Sequence, residues 1–314
     1  MLRGFRITDG RLQQMQDVTT HSPCDWFDLV AADDDERTLV DRRFGGVVPD
    51  TDEMEELEAS SRYYTDDDGI HVNSLFMYRA EGFTQNATVA FILSPTRLIT
   101  SRDVELPDFR LLRLRVRNVR VPVKNPLGIL LALFEQKVDH LADELEDLYV
   151  QLENVSRSVL TEEETNEDLE DDIDDLAEIE DTNGKVRLCI MDTQRAISWL
   201  MRHIRDDAEA LETCREILRD AESLLTHTNF VFEKVNFLMA AAQGFISIKQ
   251  NQIIKIFSIA AVVFLPPTLV ASIYGMNYAH MPELQWDYGY PFAIGLMILA
   301  GIAPYVFFKR KGWL

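Results

Sequence analysis

The chain has 314 residues, enough for one large domain or two ordinary ones. Its 53 acidic and 31 basic residues give a formal net charge of −22, which argues against nucleic acid as a partner because phosphate contacts need clustered Lys and Arg. We interpret most of this charge as a solubilising surface; attraction of cations or basic partners is the alternative.

Residues 1–124 predict a cytosolic α/β domain. The runs IHVNSLFMY and ATVAFILSPTRLITSR favour strands, DDDGI favours a turn, and ADDDERTLVDRRFG favours a helix. The N-terminal MLRGFRITDG lacks the apolar core of a signal peptide, so we expect this part to stay in the cytosol. No phosphate loop, GxSxG or HExxH motif occurs, which argues against an enzyme. Cys24, Cys189 and Cys214 form no CxxC pair and predict reduced, structural thiols.

Residues 125–207 predict a cytosolic helical hairpin with an acidic tract. Apolar residues recur at intervals of three and four through LLALFEQKVDHLADELEDLYVQLENVSRSVL. Between Glu162 and Asp181 there are 13 acidic residues and no basic residue. We interpret this tract as a solvated helix face. A weak divalent-cation sponge is the alternative, although the tract lacks the ligand spacing and the Gly of an EF-hand loop.

Residues 208–253 predict a stalk helix that packs against other helices. No proline occurs between Ala208 and Pro266, so one helix can run from the stalk into the apolar segment that follows. Apolar or small residues fall at alternating spacings of three and four, which is the heptad pattern of packed helices. This seam comprises Leu211, Cys214, Leu218, Ala221, Leu225, Thr228, Phe232, Val235, Met239, Ala242 and Ile246.

Two apolar runs predict transmembrane helices at 254–274 and 291–308. The first contains IFSIAAVVFLPPTLVASIY, 19 residues without a charge, and roughly 20 are needed to cross a bilayer. The second, FAIGLMILAGIAPYVFF, has Tyr288 and Tyr290 before it and Trp313 after it as candidate interface residues. A pair of buried core helices is the alternative.

Charge placement predicts the orientation of these spans. Lys249 and Lys255 precede the first span, the segment 309–314 after the second has three basic residues, and the extracytoplasmic loop 275–290 has none. The positive-inside rule therefore places both termini in the cytoplasm. One face of the first span has small or hydroxylated residues, which indicates close helix packing or a water-lined path: Ser258, Ala261, Leu265, Thr268 and Ser272.

The triplet Gly275-Met276-Asn277 ends the first span, and MPEL and a second span with a basic end follow it. This layout resembles the CorA family of magnesium transporters, and KVRLCIMDTQRA, KVNFLMAAAQGFI, IIKIFSIAAVVFLPPTLVAS and YVFFKRKGWL resemble its enterobacterial type. The resemblance implies an α+β chain with a long helical stalk and two C-terminal transmembrane helices, assembled as a funnel-shaped homopentamer in the lipid of a bacterial inner membrane. It also implies uptake of hydrated Mg²⁺, and of Co²⁺ and Ni²⁺, with no cofactor apart from Mg²⁺ as the transported and regulatory ion.

The resemblance assigns roles to particular residues. Gly275, Met276 and Asn277 correspond to a selectivity filter, and neutral oxygens there suit an ion that keeps its waters. Glu216 and Asp220 fall near a cytosolic Mg²⁺ site between subunits, which would hold the channel closed when filled. Pore-lining positions are Asn251, Ile254, Phe257, Ala261, Leu265 and Thr268, and Lys309, Arg310 and Lys311 correspond to a basic ring.

The sequence departs from the family pattern at two positions. Ala279 stands where an acidic residue often follows the triplet, so Glu283 and Asp287 supply the negative charge of the loop, and Glu216 stands where some members have Asp. A zinc transporter of the same superfamily is the nearest alternative, and Met276 argues against it. A membrane-anchored helical scaffold is an alternative of another class, and it predicts that substitutions in the triplet have no effect.

Overall fold

The computed structural model describes residues 1–15, 18, 23–44, 62–117, 123–161, 166–277 and 281–312. The chain divides into two compact units, of which the first comprises Met1–Glu163 and Glu170–Met239 and the second Glu164–Leu169 and Ala240–Leu314. The predicted fold class is confirmed, with a mixed α/β N-terminal part followed by long helices. Trp313, Ala279 and residues 162–165 of the acidic tract lie outside the described residues.

A seven-stranded sheet forms the N-terminal part of the first unit. Across the sheet the strands follow the order β2-β1-β3-β7-β6-β5-β4; β3 and β7 pair in parallel, and the other pairs are antiparallel. The predicted DDDGI turn is confirmed, because the Asp66 carboxylate accepts backbone hydrogen bonds from Asp68 and Gly69. The strands are β1 (Leu2–Thr8), β2 (Arg11–Gln14), β3 (Trp26–Val30), β4 (Tyr63–Thr65), β5 (Ile70–Ala80), β6 (Phe83–Ser94) and β7 (Arg97–Arg102).

Six α-helices accompany the sheet in the described residues. They are α1 (Asp34–Phe44), α2 (Pro107–Arg117), α3 (Pro126–Val159), α4 (Asn166–Leu200), α5 (Ala208–Tyr274) and α6 (Gly289–Arg310), with a short 3-10 helix at Pro282–Gln285. The α3 helix begins where the Asn125 side chain accepts a hydrogen bond from the Gly128 amide at 2.7 Å and Pro126 occupies the first turn.

Aromatic rings join the sheet to α2 and α3. Phe76 and Phe91 on the strands each lie with ring centroids 5.7–6.3 Å from Phe109 of α2 and Phe134 of α3. Such rings bury large apolar areas and gain further stability from their offset geometry. The two helices are therefore held on one face of the sheet by a common core.

A buried polar network joins α3 and α4 to β5. The Lys137 ammonium, 1% exposed, donates to Ser74 Oγ at 3.0 Å and lies 3.5 Å from Asp192 Oδ2. Asp192 also accepts from the Ser74 hydroxyl at 2.5 Å and the Leu75 amide at 2.8 Å. The charges are paired and hydrogen-bonded, which is the condition under which burial of an ion is tolerated.

The three cysteines are free and buried, as the sequence predicts. Burial raises the pKa of the Cys189 and Cys214 thiols to about 12. Both therefore stay protonated at neutral pH and behave as small apolar side chains.

The acidic tract, as far as it is described, forms one face of α4. Leu169, Leu176 and Ile179 are buried, whereas the acidic residues from Asp168 to Asp181 are exposed except for Asp172. This pattern favours the solvated helix face over a cation-binding segment.

The seam on α5 is confirmed at one heptad position and only in part at the other, where Leu211 and Leu218 are partly buried against the core. The residues at seven-residue intervals from Cys214 to Ala242 are all buried. The alternate predicted positions are partly or fully exposed, and Phe232 is 45% exposed. Apolar residues occupy two adjacent positions in these turns, so the sequence does not decide between spacings of three and four. The structure buries the earlier residue of each such pair: Ile217, Val231 and Leu238.

Candidate functional site

Helices α5 and α6 each contain an 18-residue window long and apolar enough to cross a membrane. None of the window in α5 and 6% of the window in α6 is buried. A core helix of a soluble protein would be mostly buried, so this exposure argues against the alternative of two core helices.

The two candidate spans pack together at a glycine. A Cβ added at Gly301 of α6 would lie 3.3 Å from Cγ of Pro267 and 3.8 Å from the Val263 carbonyl oxygen. Small residues of this kind allow helices to approach closely in lipid. The half-buried residues of the α5 span include Ile259, Val263, Pro266, Pro267, Val270 and Tyr274.

The six predicted pore-lining residues lie on the opposite face of α5 from this contact. With 3.6 residues per turn, they centre on a direction roughly opposite to the half-buried face. The Thr268 hydroxyl donates to the Phe264 carbonyl at 2.7 Å, which leaves its oxygen lone pairs available as acceptors. All six are exposed in the single chain: Asn251, Ile254, Phe257, Ala261, Leu265 and Thr268.

The predicted filter triplet directly follows the last residue of α5. The Gly275 amide donates to the Ala271 carbonyl at 2.9 Å, and a Cβ at this position would lie 3.1 Å from the same oxygen. The small residue thus relieves crowding at the helix end. Met276 and Asn277 are exposed, and Asn277 makes no hydrogen bond to the described part of the chain, so its amide oxygen can act as a ligand.

An aromatic group at the start of α6 includes a residue that the sequence analysis missed. The Trp286 ring lies 6.3 Å from the predicted interface residue Tyr288 and 5.7 Å from Phe292, measured between centroids. Trp286 and Tyr288 are exposed, as expected of side chains that favour a membrane–water boundary. Trp286 lies six residues before the apolar run, and this position is the sequence signal that could have identified it as an interface residue.

The predicted basic ring lies at the other end of α6. Lys309 and Arg310 form its last turn and Lys311 caps it. All three side chains are exposed, and no ion pair to them occurs within the described ranges. Cations at a helix C-terminus interact favourably with the helix dipole, so these residues stabilise the end of α6.

The predicted regulatory residues face a cavity of about 460 Å³ between α2, α3 and α5. Glu216 and Asp220 are exposed on α5, and α3 contributes Glu135 and Asp139 to the same cavity. Sequence analysis missed both residues of α3, because they lie about 80 positions away and carry no motif. Asp139 pairs with Arg115 of α2, with 2.9 Å between Oδ2 and the guanidinium nitrogen.

The acidic side chains around this cavity repel one another. Burial, followed by the charges of Asp139, Glu216 and Asp220, raises the pKa of Glu135 above its ordinary value. Gln136 also lines the cavity, and its buried side-chain oxygen has no hydrogen-bond partner in the described part of the chain. Within that part, however, no group of three or more His, Cys, Asp or Glu side chains is placed to hold a metal ion.

Comparison with known proteins gives a match along the whole chain. A family model described as "CorA-like Mg2+ transporter protein" matches residues 23–310. Proteins named "Magnesium transport protein CorA" from Salmonella typhimurium and Escherichia coli are each 51% identical, over 317 and 318 residues, with all of both chains covered.

A solved structure shares the fold. The complete structure of the CorA magnesium transporter from Methanocaldococcus jannaschii superimposes with a TM-score of 0.77 at 17% identity, covering 100% of this chain and 98% of that one. At this identity the likeness supports the fold alone.

Proposed function

The chain belongs to the CorA family of Mg²⁺ transporters, and from this membership we propose that it takes up hydrated Mg²⁺ through a pore formed by several copies. The observation that carries the proposal is the 51% identity, along the full length of both chains, with proteins named for magnesium transport. Co²⁺ and Ni²⁺ are proposed as further substrates. Movement down a gradient requires neither a nucleotide nor an enzymatic step.

The exposed face of α5 is proposed as the wall of the pore. Two spans of one chain cannot enclose a water-filled path, so neighbouring copies must complete it, and we propose a homopentamer. Its lining from Asn251 to Thr268 is mostly apolar, and apolar constrictions can close by losing water; Ile254 and Phe257 are proposed to form this gate.

Asn277 and Gly275 are proposed to select the ion. Mg²⁺ loses its waters reluctantly, so a filter for it should accept hydrogen bonds from those waters. A ring of Asn277 amide oxygens and Gly275 carbonyls offers neutral acceptors of this kind. Met276 belongs to the same triplet and favours this branch over the zinc transporters of the superfamily.

The proposed orientation of the spans lets the membrane potential drive the uptake of cations. We propose a bacterial inner membrane with both termini in the cytoplasm, because the basic residues lie at one end of the two spans. A divalent cation that enters a negative interior gains about 4.6 kcal/mol per 100 mV, twice the value for one charge. Lys309, Arg310 and Lys311 are proposed to form the basic ring around the inner pore.

Cytosolic Mg²⁺ is proposed to regulate the pore through Glu216 and Asp220. A bound cation would relieve the repulsion that raises the pKa of Glu135, and the unpartnered Gln136 oxygen can accept from its waters. Since one chain does not complete a metal site in the described residues, the remaining ligand is proposed to come from a neighbouring copy. Filling this site holds the channel closed.

The test is Mg²⁺ uptake in cells that lack their own Mg²⁺ transport systems. We expect the wild-type chain to restore growth at low Mg²⁺ and Asn277→Ala to fall to background, because the filter loses its amide oxygens. Asn236→Ala is the matched control: it is an exposed Asn on the same helix and should transport normally.

The outcomes separate the alternatives. Normal uptake by Asn277→Ala would refute the filter assignment. Failure of both proteins to restore growth, despite insertion in the membrane, would favour a zinc transporter if Zn²⁺ enters instead. If no ion enters and substitutions in the triplet have no effect, a membrane-anchored scaffold is favoured.

A further inference from the structure

A second cavity lies beside the inner end of the two spans, within the second unit. It has a volume of about 420 Å³ and is bounded by α5 and by the last residues of α6. Three of its residues, Ser258, Ile259 and Val262, follow one another along one side of α5. Lys255 and Val262 lie between the half-buried face, to which Ile259 belongs, and the proposed pore face. Ser258 is in line with Asn251 and Leu265, so the cavity borders the pore at this residue. Phe308 of α6 and Gly312, two residues after the end of that helix, form the opposite wall.

The polar groups of this cavity are concentrated at its cytosolic end. Lys255 lies one turn before Ser258, so its ammonium and the Ser258 hydroxyl point to the same side of α5. Neither side chain has a partner among the described residues. The remainder of the lining is apolar and lies inside the predicted span.

The charge around this cavity has one sign. Lys309, Arg310 and Lys311 end α6 next to it, and the sequence from Lys234 to Pro282 contains no Asp or Glu. In a chain with a net charge of −22, this end of the spans has five basic residues, counting Lys249, and no nearby carboxylate in the sequence. Anionic lipid headgroups are attracted to such clusters at the cytosolic surface of a membrane.

We propose that this cavity binds one anionic phospholipid per chain. The phosphate accepts hydrogen bonds from the Lys255 ammonium and the Ser258 hydroxyl, and one acyl chain lies along Ile259, Val262 and Phe308. The inference rests on the proposed membrane topology, which places Lys255 at headgroup depth. A free anion would satisfy Lys255 but would leave the apolar wall uncovered, so the proposed ligand is a lipid.

The experiment measures lipid binding to the full-length chain, purified in detergent, by native mass spectrometry. The probes are phosphatidylglycerol and phosphatidylcholine with the same acyl chains. We expect the wild-type protein to retain phosphatidylglycerol preferentially. Lys255→Gln should weaken this binding about fivefold, the factor that corresponds to loss of one lysine near the surface. Lys249→Gln, which removes the same charge outside the cavity, should have little effect.

A second pair of variants tests the apolar wall. Val262→Trp fills the cavity without a change in charge and should also weaken phosphatidylglycerol binding. If this variant fails to fold, Ser258→Ala removes the hydroxyl donor instead and should lower phosphatidylglycerol binding. Inorganic phosphate should not displace the lipid. Equal retention of the two lipids, or equal losses in Lys249→Gln and Lys255→Gln, would refute the site.

These readouts are independent of transport. Preferential retention of phosphatidylglycerol by a wild-type chain that fails to take up Mg²⁺ would refute the proposed transport function and leave the lipid site intact. Normal Mg²⁺ uptake by a chain that shows no lipid preference would refute the lipid site and leave the proposed transport function intact.

Discussion

His140 connects α3 to the start of α2 through a buried carboxylate. Its Nδ1 lies 3.1 Å from Asp108 Oδ1, and its Nε2 lies 3.7 Å from Glu144 Oε1. Burial lowers the pKa of His140, but the hydrogen bonds to Asp108 and Glu144 and the charges of these residues outweigh it and raise the pKa to about 10. The imidazole is therefore a permanent cation at neutral pH.

This shift predicts a dependence of stability on pH. The folded pKa of about 10 exceeds the ordinary value of 6.5, so the stabilisation is complete below about pH 6.5 and is lost as the pH rises towards 10. His140→Gln should lower the free energy of unfolding by about 1–3 kcal/mol at pH 6.5, because Asp108 loses a charged donor. The difference from wild type should shrink as the pH approaches 10.

Thermal unfolding of the full chain between pH 6 and 10, followed by circular dichroism, measures this difference. His203→Gln is the control, because His203 is exposed and bonds only the Trp199 carbonyl in the described part of the chain. A difference between His140→Gln and wild type that is constant over this pH range would contradict the assignment.

At the scale of the element, the contact between α5 and α6 depends on Gly301. Its Cα faces Pro267, and a larger residue would have to move the helices apart. We expect Gly301→Leu to destabilise the protein by about 1–3 kcal/mol, the usual cost of overpacking, and to reduce Mg²⁺ uptake. Gly295→Leu is the matched control on the same helix, since a Cβ there meets no atom within 4 Å.

Thermal stability in detergent and uptake in cells together measure this effect. Equal behaviour of the two leucine variants would show that the contact at Pro267 does not govern the packing of the spans. A loss confined to Gly301→Leu would support the close approach of α5 and α6.

The sequence predicts elements better than it predicts which face of each is buried. The course of α5 up to Pro266, its apolar window and the turn before β5 follow from local signals: absence of proline before that residue, run length and an Asx turn. The second seam position on α5 is only partly correct, because adjacent apolar residues, such as Val231 and Phe232, fit either spacing. Only contacts with other elements decide which of the two is buried.

The same limit applies to the candidate sites. The proposed filter triplet is contiguous in sequence, so a motif suffices to predict it. The cavity around Glu216 needs Glu135 and Asp139, which α3 brings close only after the unit has folded. No periodicity links positions about 80 residues apart, and the structure is needed to join them.

At the scale of the whole molecule, one helix lines the acidic cavity and also ends at the proposed filter. Glu216 and Asp220 lie on α5, the helix that ends directly before Gly275. A cation that joins α5 to a neighbouring copy would oppose movement of this helix, and movement of helices is a common route of gating. We therefore expect millimolar Mg²⁺ to slow proteolysis of the stalk in the purified, full-length assembly.

Matched variants make this prediction specific to the cavity. In Glu216→Gln with Asp220→Asn, Mg²⁺ should no longer protect the stalk, because two of the four carboxylates have lost their charge. Glu233→Gln removes an exposed carboxylate from the same helix outside the cavity and should keep the protection. Limited digestion, read by mass spectrometry of the fragments at several Mg²⁺ concentrations, provides the measurement. Identical digestion of the wild-type protein with and without Mg²⁺ would exclude this route of control, whereas protection that survives in the double variant would place the regulatory ion elsewhere.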